Sequence, residues 1–408
     1  MASMRALRSA LILALALSAV ACGGGGSGRG LGPPPPPPPA SNVASVIIDP
    51  GPSSTSANTL FASITVCMPG STTSCQTIDH VQVDTGSYGL RLLAPVLTLM
   101  LPVETLAGGS SLAECVQFVD GYSWGPVVSA DVNIAGETAH SVPVQVIGDS
   151  RFTNIPANCS STGGTQEDTV ASFGANAILG VGPFELDCGN CDTVASGLYY
   201  SCTTTCSGTT VPANLQVANP VTRFATDKNG VIIVLPSVAA GGAANVSGSL
   251  IFGIDTQSNN QSGTQTVLTL DANAELLIMF NGQTLANSFI DSGSNGIYFN
   301  DISISKCVAP PNDPSSQIVN FYCPPTTLTL GLSIQGMNGV MANNLTFGVG
   351  NAQTIFNNSN FDAFPQLAGT NPITGSFDYG LAFFYGKRVA VAVEGNTTAV
   401  GTGPYIAF

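Results

Sequence analysis

From Val43 onward, the chain alternates short apolar runs with clusters of Gly, Pro, Asn and Ser. Thr59 to Val66, Val127 to Ile134, Val142 to Ile147, Val231 to Leu235 and Val389 to Val393 are rich in β-branched residues. Such runs, bounded by turn formers, are the pattern of strands joined by hairpins. Segments of helical period are scarce. Leu92 to Leu106 is the best helical candidate, but Pro95 and Pro102 would each remove a backbone donor and break it. The pattern predicts an all-β protein.

One apolar run stands apart. Leu11 to Ala21 follows Arg5 and Arg8 and is too short to span a bilayer, so residues 1–21 read as a signal peptide. It ends in Ala19-Val20-Ala21-Cys22, which looks like a bacterial lipobox with Cys22 as the lipidated residue. Plain signal-peptide cleavage with Cys22 incidental is the alternative. Gly23 to Pro39, with four consecutive glycines and seven consecutive prolines, cannot pack a core. Residues 22–42 therefore read as a lipidated cysteine with a tether. The expected location is the bacterial cell envelope, on the outer-membrane or periplasmic side, because Gly23 lacks the Asp that often retains lipoproteins at the inner membrane.

Composition narrows the choice of function. Only 8% of residues are charged, with 24 acids against 10 bases for a net −14. With no basic run, binding to nucleic-acid phosphates has no electrostatic support. A hydrophobic content of 44% excludes wholesale disorder. Few bases also mean little self-repulsion once carboxylates are protonated, which suits an acid medium.

Eleven cysteines leave ten besides Cys22. An even ten in an exported chain suggests five disulfides. Cys67 and Cys75 could staple a hairpin, Cys307 and Cys323 could close a second loop, and Cys115 and Cys159 remain as a long-range pair. Cys188, Cys191, Cys202 and Cys206 admit either two disulfides or a four-thiolate zinc site. Export and the Gly, Asn, Ser and Thr between them favour disulfides, so no metal is expected. His80 and His140 form no recognisable catalytic arrangement and are expected to be hydrogen-bonded or on the surface.

Two segments look alike. Val81-Gln82-Val83-Asp84-Thr85-Gly86-Ser87 and Ser288-Phe289-Ile290-Asp291-Ser292-Gly293-Ser294 each run from an apolar strand into Asp-(Thr/Ser)-Gly-Ser. Paired Asx-type turns would explain them without chemistry. Two carboxylates brought together, however, share one proton over a wide pH range. The ionised member can then take a proton from a water, and the protonated one can hydrogen-bond a carbonyl oxygen as it gains charge.

On these motifs the sequence resembles the pepsin-like aspartic proteases. Tyr122-Ser123-Trp124-Gly125 has the spacing of that family's flap tip, Tyr-x-x-Gly. Ala177-Ile178-Leu179-Gly180 and Gly380-Leu381-Ala382-Phe383-Phe384 are similar to the two glycine strands that pass behind its catalytic loops, and Gly248 to Asp255 to the strand entering its second lobe. The resemblance implies a bilobal all-β fold with a cleft, an N-terminal lobe at 43–235 and a C-terminal lobe at 236–408. It implies catalytic Asp84 and Asp291, supported by Thr85, Gly86, Ser87, Ser292, Gly293 and Ser294, with Tyr122, Trp124 and Gly125 over the substrate. An extended peptide or protein substrate, no cofactor and a monomeric state are expected.

Three positions depart from the family. Arg91 stands where Trp is usual and is a candidate modulator, because a cation beside the dyad would favour double ionisation. Tyr88 replaces the usual Ser, and Asp378-Tyr379 is less apolar than the family pattern. Two functions follow as expectations: an aspartic endopeptidase, or an inactive relative that binds peptides or inhibitors.

Overall fold

A computed structural model describes residues 41–118, 121–161, 164–313 and 316–408. The signal-peptide segment, Cys22 and the tether as far as residue 40 lie outside them; Asn42, expected in the tether, is buried and donates through Nδ2 to the Phe252 carbonyl at 2.9 Å. Where the sequence sets β-branched residues against turn formers, strands form. The strands that position the site are numbered here in chain order. The first half contributes β1 (Val43–Ile48), β2 (Leu60–Cys67), β3 (Cys75–Asp84), β4 (Tyr88–Leu93), β5 (Ser111–Gln117), β6 (Gly121–Ile134), β7 (Glu137–Ile147), β8 (Ala177–Val181) and β9 (Gly230–Val234). The second half contributes β10 (Val246–Phe252), β11 (Gln283–Ile290), β12 (Ile297–Tyr298), β13 (Asp378–Tyr379), β14 (Arg388–Ala392) and β15 (Tyr405–Ala407). Helices are single short turns. The segment with Pro95 and Pro102 holds only a 3-10 turn at Ala94–Val96, as its prolines require.

The all-β expectation holds. A sheet of 16 strands runs through both halves, and a second of seven lies wholly in the latter half. The halves meet strand to strand: β1 pairs antiparallel with β10, and β9 lies between β10 and β14. The expected lobe boundary at residue 235 thus falls beside a strand shared with the second half. Val231, Ile233, Val389, Val391, Leu250 and Phe252 are essentially sealed from solvent in one core continuous with Val81, Val83 and Leu90. Burying side chains of this kind contributes roughly 1.5–3 kcal/mol each.

All ten cysteines in the described residues are paired, as Cys67–Cys75, Cys115–Cys159, Cys188–Cys191, Cys202–Cys206 and Cys307–Cys323. The tight group of four therefore resolves into two local disulfides, which occupy the thiols a zinc site would need. Five disulfides mark an exported, non-cytoplasmic chain. No helix among the described residues is long and apolar enough to cross a membrane.

Candidate active site

Each motif sits where a strand stops. β3 ends on Asp84, and Asp291 directly follows β11. Behind the first loop, β8 runs parallel to β3 and antiparallel to β4, with Gly180 opposite both Asp84 and Gly89. Behind the second, β13 runs parallel to β11 and antiparallel to β12. The glycines are sterically required. A Cβ on Gly180 would lie 2.7 Å from the Ser87 carbonyl carbon, and one on Gly380 would strike the Ser294 and Gly296 carbonyls. The two Asp loops are thus held by the same local construction.

The loops also lock to each other. Thr85 N–H donates to Ser292 Oγ at 3.1 Å, and Ser292 N–H donates to Thr85 Oγ1 at 2.9 Å. Ser292 Oγ donates in turn to the Val83 carbonyl at 2.8 Å. Gln82 Nε2 donates to the Gly293 carbonyl, and Asn58 Nδ2 to the Asn295 carbonyl, both at 2.8 Å. Every one of these bonds joins the first half of the chain to the second.

This lock places the two carboxylates together. Asp84 is 6% exposed and Asp291 8%, and they lie within hydrogen-bonding reach of one another. Gly86 N–H donates to Asp84 Oδ1 at 2.7 Å, and Ser87 Oγ to Asp84 Oδ2 at 2.5 Å. On the other side, Gly293 N–H donates to Asp291 Oδ1 at 2.7 Å, and Ser294 Oγ lies 2.9 Å from Asp291 Oδ2. The small residues permit the approach: a Cβ on Gly86 would come within 2.7 Å of Asp291 Cγ, and one on Gly293 within 2.6 Å of Asp84 Cγ. Gly86 itself is exposed, so solvent reaches the rim of the pair.

Burial pushes the Asp84 carboxyl well above the ordinary range. The Asp291 charge and the hydrogen bond between the carboxyls add to this, while the Ser87 hydroxyl and Gly86 N–H oppose it. Two acids so arranged hold one proton between them, and one is left as an anion able to accept another.

Residues 38–408 match the family described as "Protein of unknown function (DUF3443)". The chain belongs to that family. No curated protein matches it. Among solved structures it is similar to the aspartic proteinase from Irpex lacteus, at 14% identity and a TM-score of 0.48, over 90% of this chain and 96% of that one.

Not every residue expected at the site of this DUF3443 chain is found there. Tyr122, Ser123, Trp124 and Gly125 lie in β6, paired with Gln117, Val116, Cys115 and Glu114 of β5, so Tyr122 directly follows the turn of that hairpin and Gly125 stands three residues down its strand. Tyr122 and Trp124 point into a small separate core with the Cys115–Cys159 disulfide. Trp124 Nε1 donates to the Phe152 carbonyl at 2.7 Å, and its ring meets Tyr200 edge-on. Gly125 is needed because a Cβ would meet the Val146 carbonyl.

Arg91 is also corrected. Its guanidinium is buried and binds Glu114 at 2.7 Å, Asp187 at 2.8 Å and the Tyr88 carbonyl at 2.6 Å, with none of its ion pairs to Asp84. Two acids in that buried pocket claim the cation. His80 pairs with Asp49 and Asp79, and His140 with Asp131. Both side chains are hydrogen-bonded, His80 to Asp49 and His140 to Asp131.

Two residues gain weight instead. Tyr88 packs on Phe184, and its phenol is pushed up by burial and then by the charges of Asp84, Asp291 and Glu394. Asp378 brings a third carboxyl, 6% exposed, whose Oδ2 lies 2.6 Å from Ser294 Oγ. The sequence marked it only as an acid in an apolar strand. The available signal was its flanks: Phe377 and Tyr379 are buried in an aromatic cluster, so strand alternation turns Asp378 to the opposite face.

Proposed function

We propose that this DUF3443 chain is an aspartic-type endopeptidase in which Asp84 and Asp291 activate a water for attack on a peptide carbonyl. The observation that carries the reading is the pair of locked Asp loops, with two buried carboxyls in hydrogen-bonding reach and Asp84 pushed well above its ordinary range. The resemblance to pepsin-like aspartic proteases at both motifs agrees with it. The ionised carboxyl takes a proton from the water as it attacks, and the protonated one donates to the carbonyl oxygen. Proton return to the leaving nitrogen then breaks the C–N bond without a covalent intermediate. The substrate is an extended peptide or unfolded protein held by strand-like main-chain pairing.

Cys22 would carry a lipid anchor, and the Gly/Pro tether would hold a monomeric enzyme off the envelope surface. An inactive peptide-binding role is the competing reading. Its expected mark, an Arg91 guanidinium on Asp84, is not what the side chain does, since Glu114 and Asp187 hold it. Incubating the purified protein with denatured protein across pH separates the two readings. Cleavage favoured in acid and blocked by a pepstatin-like inhibitor supports the enzyme; inhibitor binding without turnover at any pH rejects it.

A further inference from the structure

Ser294 Oγ makes two short contacts with carboxyl oxygens, 2.9 Å to Asp291 Oδ2 and 2.6 Å to Asp378 Oδ2. A hydroxyl has a single hydrogen to give. It can donate to only one of these oxygens, so the other contact is a hydrogen bond only if that carboxyl carries the proton and donates to Oγ. The surroundings decide which. Asp291 Oδ1 accepts the Gly293 N–H at 2.7 Å, a bond that favours its anion. Asp378 Oδ1 is buried without a hydrogen-bond partner among the described residues. Leaving a neutral carbonyl oxygen there costs far less than leaving a charged one.

Among the described residues, the groups that act on Asp378 are the acids Asp291 and Asp84 and the hydroxyl of Ser294, none of them a cation. Along the strands it is registered with Phe289 of β11 and Tyr298 of β12. The first loop has no counterpart, because the residue two before Gly180 is the apolar Ile178.

We propose that Asp378 is a protonated positioning residue that donates to Ser294 and, through it, fixes Asp291 as the ionised member of the pair and Asp84 as the protonated one. The reading rests on the endopeptidase assignment for its catalytic meaning, but not for the protonation itself. The chain of donors runs from Asp378 Oδ2–H to Ser294 Oγ–H to Asp291 Oδ2, and each bond polarises the next. Asp291 is then the general base and Asp84 the acid. Burial and then Asp291 push the Asp378 carboxyl upward, outweighing the opposing Ser294 hydroxyl, in keeping with a retained proton.

Infrared spectroscopy of the intact protein tests this without requiring activity. At neutral pH, the wild type should show carbonyl absorption from protonated carboxyls. Asp378→Asn, which keeps the shape and an N–H donor, should remove part of it, and Asp84→Asn should remove a separate part. If Asp378→Asn leaves the absorption whole, Asp378 is ionised and the proposal is overturned, whether or not the protein cleaves peptides. In the acid protease assay, Asp378→Leu should lower kcat about tenfold, the worth of one neutral hydrogen bond and its polarisation of Ser294. Asp378→Asn, which keeps a donor to Ser294, should restore most of that kcat. Equal losses in both variants would reduce Asp378 to a structural role and contradict the assignment.

Discussion

A methyl group on Gly86 would come within 2.7 Å of Asp291 Cγ. Gly86 is not in a left-handed conformation, so the conflict is with the carboxylate rather than with the backbone. Gly86→Ala should therefore fold yet push the two carboxyls apart, lowering kcat about a hundredfold, as misplacements near 1 Å do. A kcat within a few-fold of wild type would show that the approach is not needed. At this scale the sequence was most readable where chemistry is local. Asp-Thr-Gly-Ser and Asp-Ser-Gly-Ser carry their own donors: Gly86 and Ser87 serve Asp84, and Gly293 serves Asp291. Asp378 was harder to read because its relation to Asp291 depends on a parallel strand pairing between β11 and β13, which no nearby residue announces.

Strands and their partners account for what the sequence suggested but the structure moved. Tyr-x-x-Gly spacing places Tyr122 at a hairpin tip only if the turn falls there. Phe118 N–H bonds the Gly121 carbonyl at 2.8 Å, so the turn ends just before Tyr122, and Trp124 and Gly125 stand further down β6. Burial of Trp124 against Cys115–Cys159 and Tyr200 favours that register. Arg91 belongs to β4, and its charge meets Glu114 of β5 and Asp187, which in turn accepts the Tyr199 hydroxyl at 2.6 Å. Removing the cation would leave two buried acids without it. Arg91→Met should cost about 3–5 kcal/mol at neutral pH in denaturant unfolding. The loss should shrink in acid: burial and then Glu114 raise Asp187 well above the ordinary range, so it readily takes up a proton and no longer needs the guanidinium. A pH-independent loss would assign Arg91 a packing role only.

Over the whole molecule, the site exists because two distant halves are held as one unit. β1 with β10 and β9 with β14 build a common sheet, while Thr85–Ser292, Gln82–Gly293 and Asn58–Asn295 tie the loops across it. The all-β class was legible from β-branched runs and turn formers. The shared sheet was not, because pairings such as Val43 with Ile251 join positions too far apart for local pattern to report. The low charge is consistent with work in acid, where protonated carboxyls leave few like charges to repel. The most direct test of the central claim is the rate of hydrolysis of a denatured protein in acid by the wild type and by Asp84→Asn, with folding of both checked by thermal unfolding. An Asp84/Asp291 dyad predicts that the folded variant loses at least about a hundredfold in rate, since it can no longer share the proton. A folded Asp84→Asn variant that cleaves as fast as wild type would contradict the account.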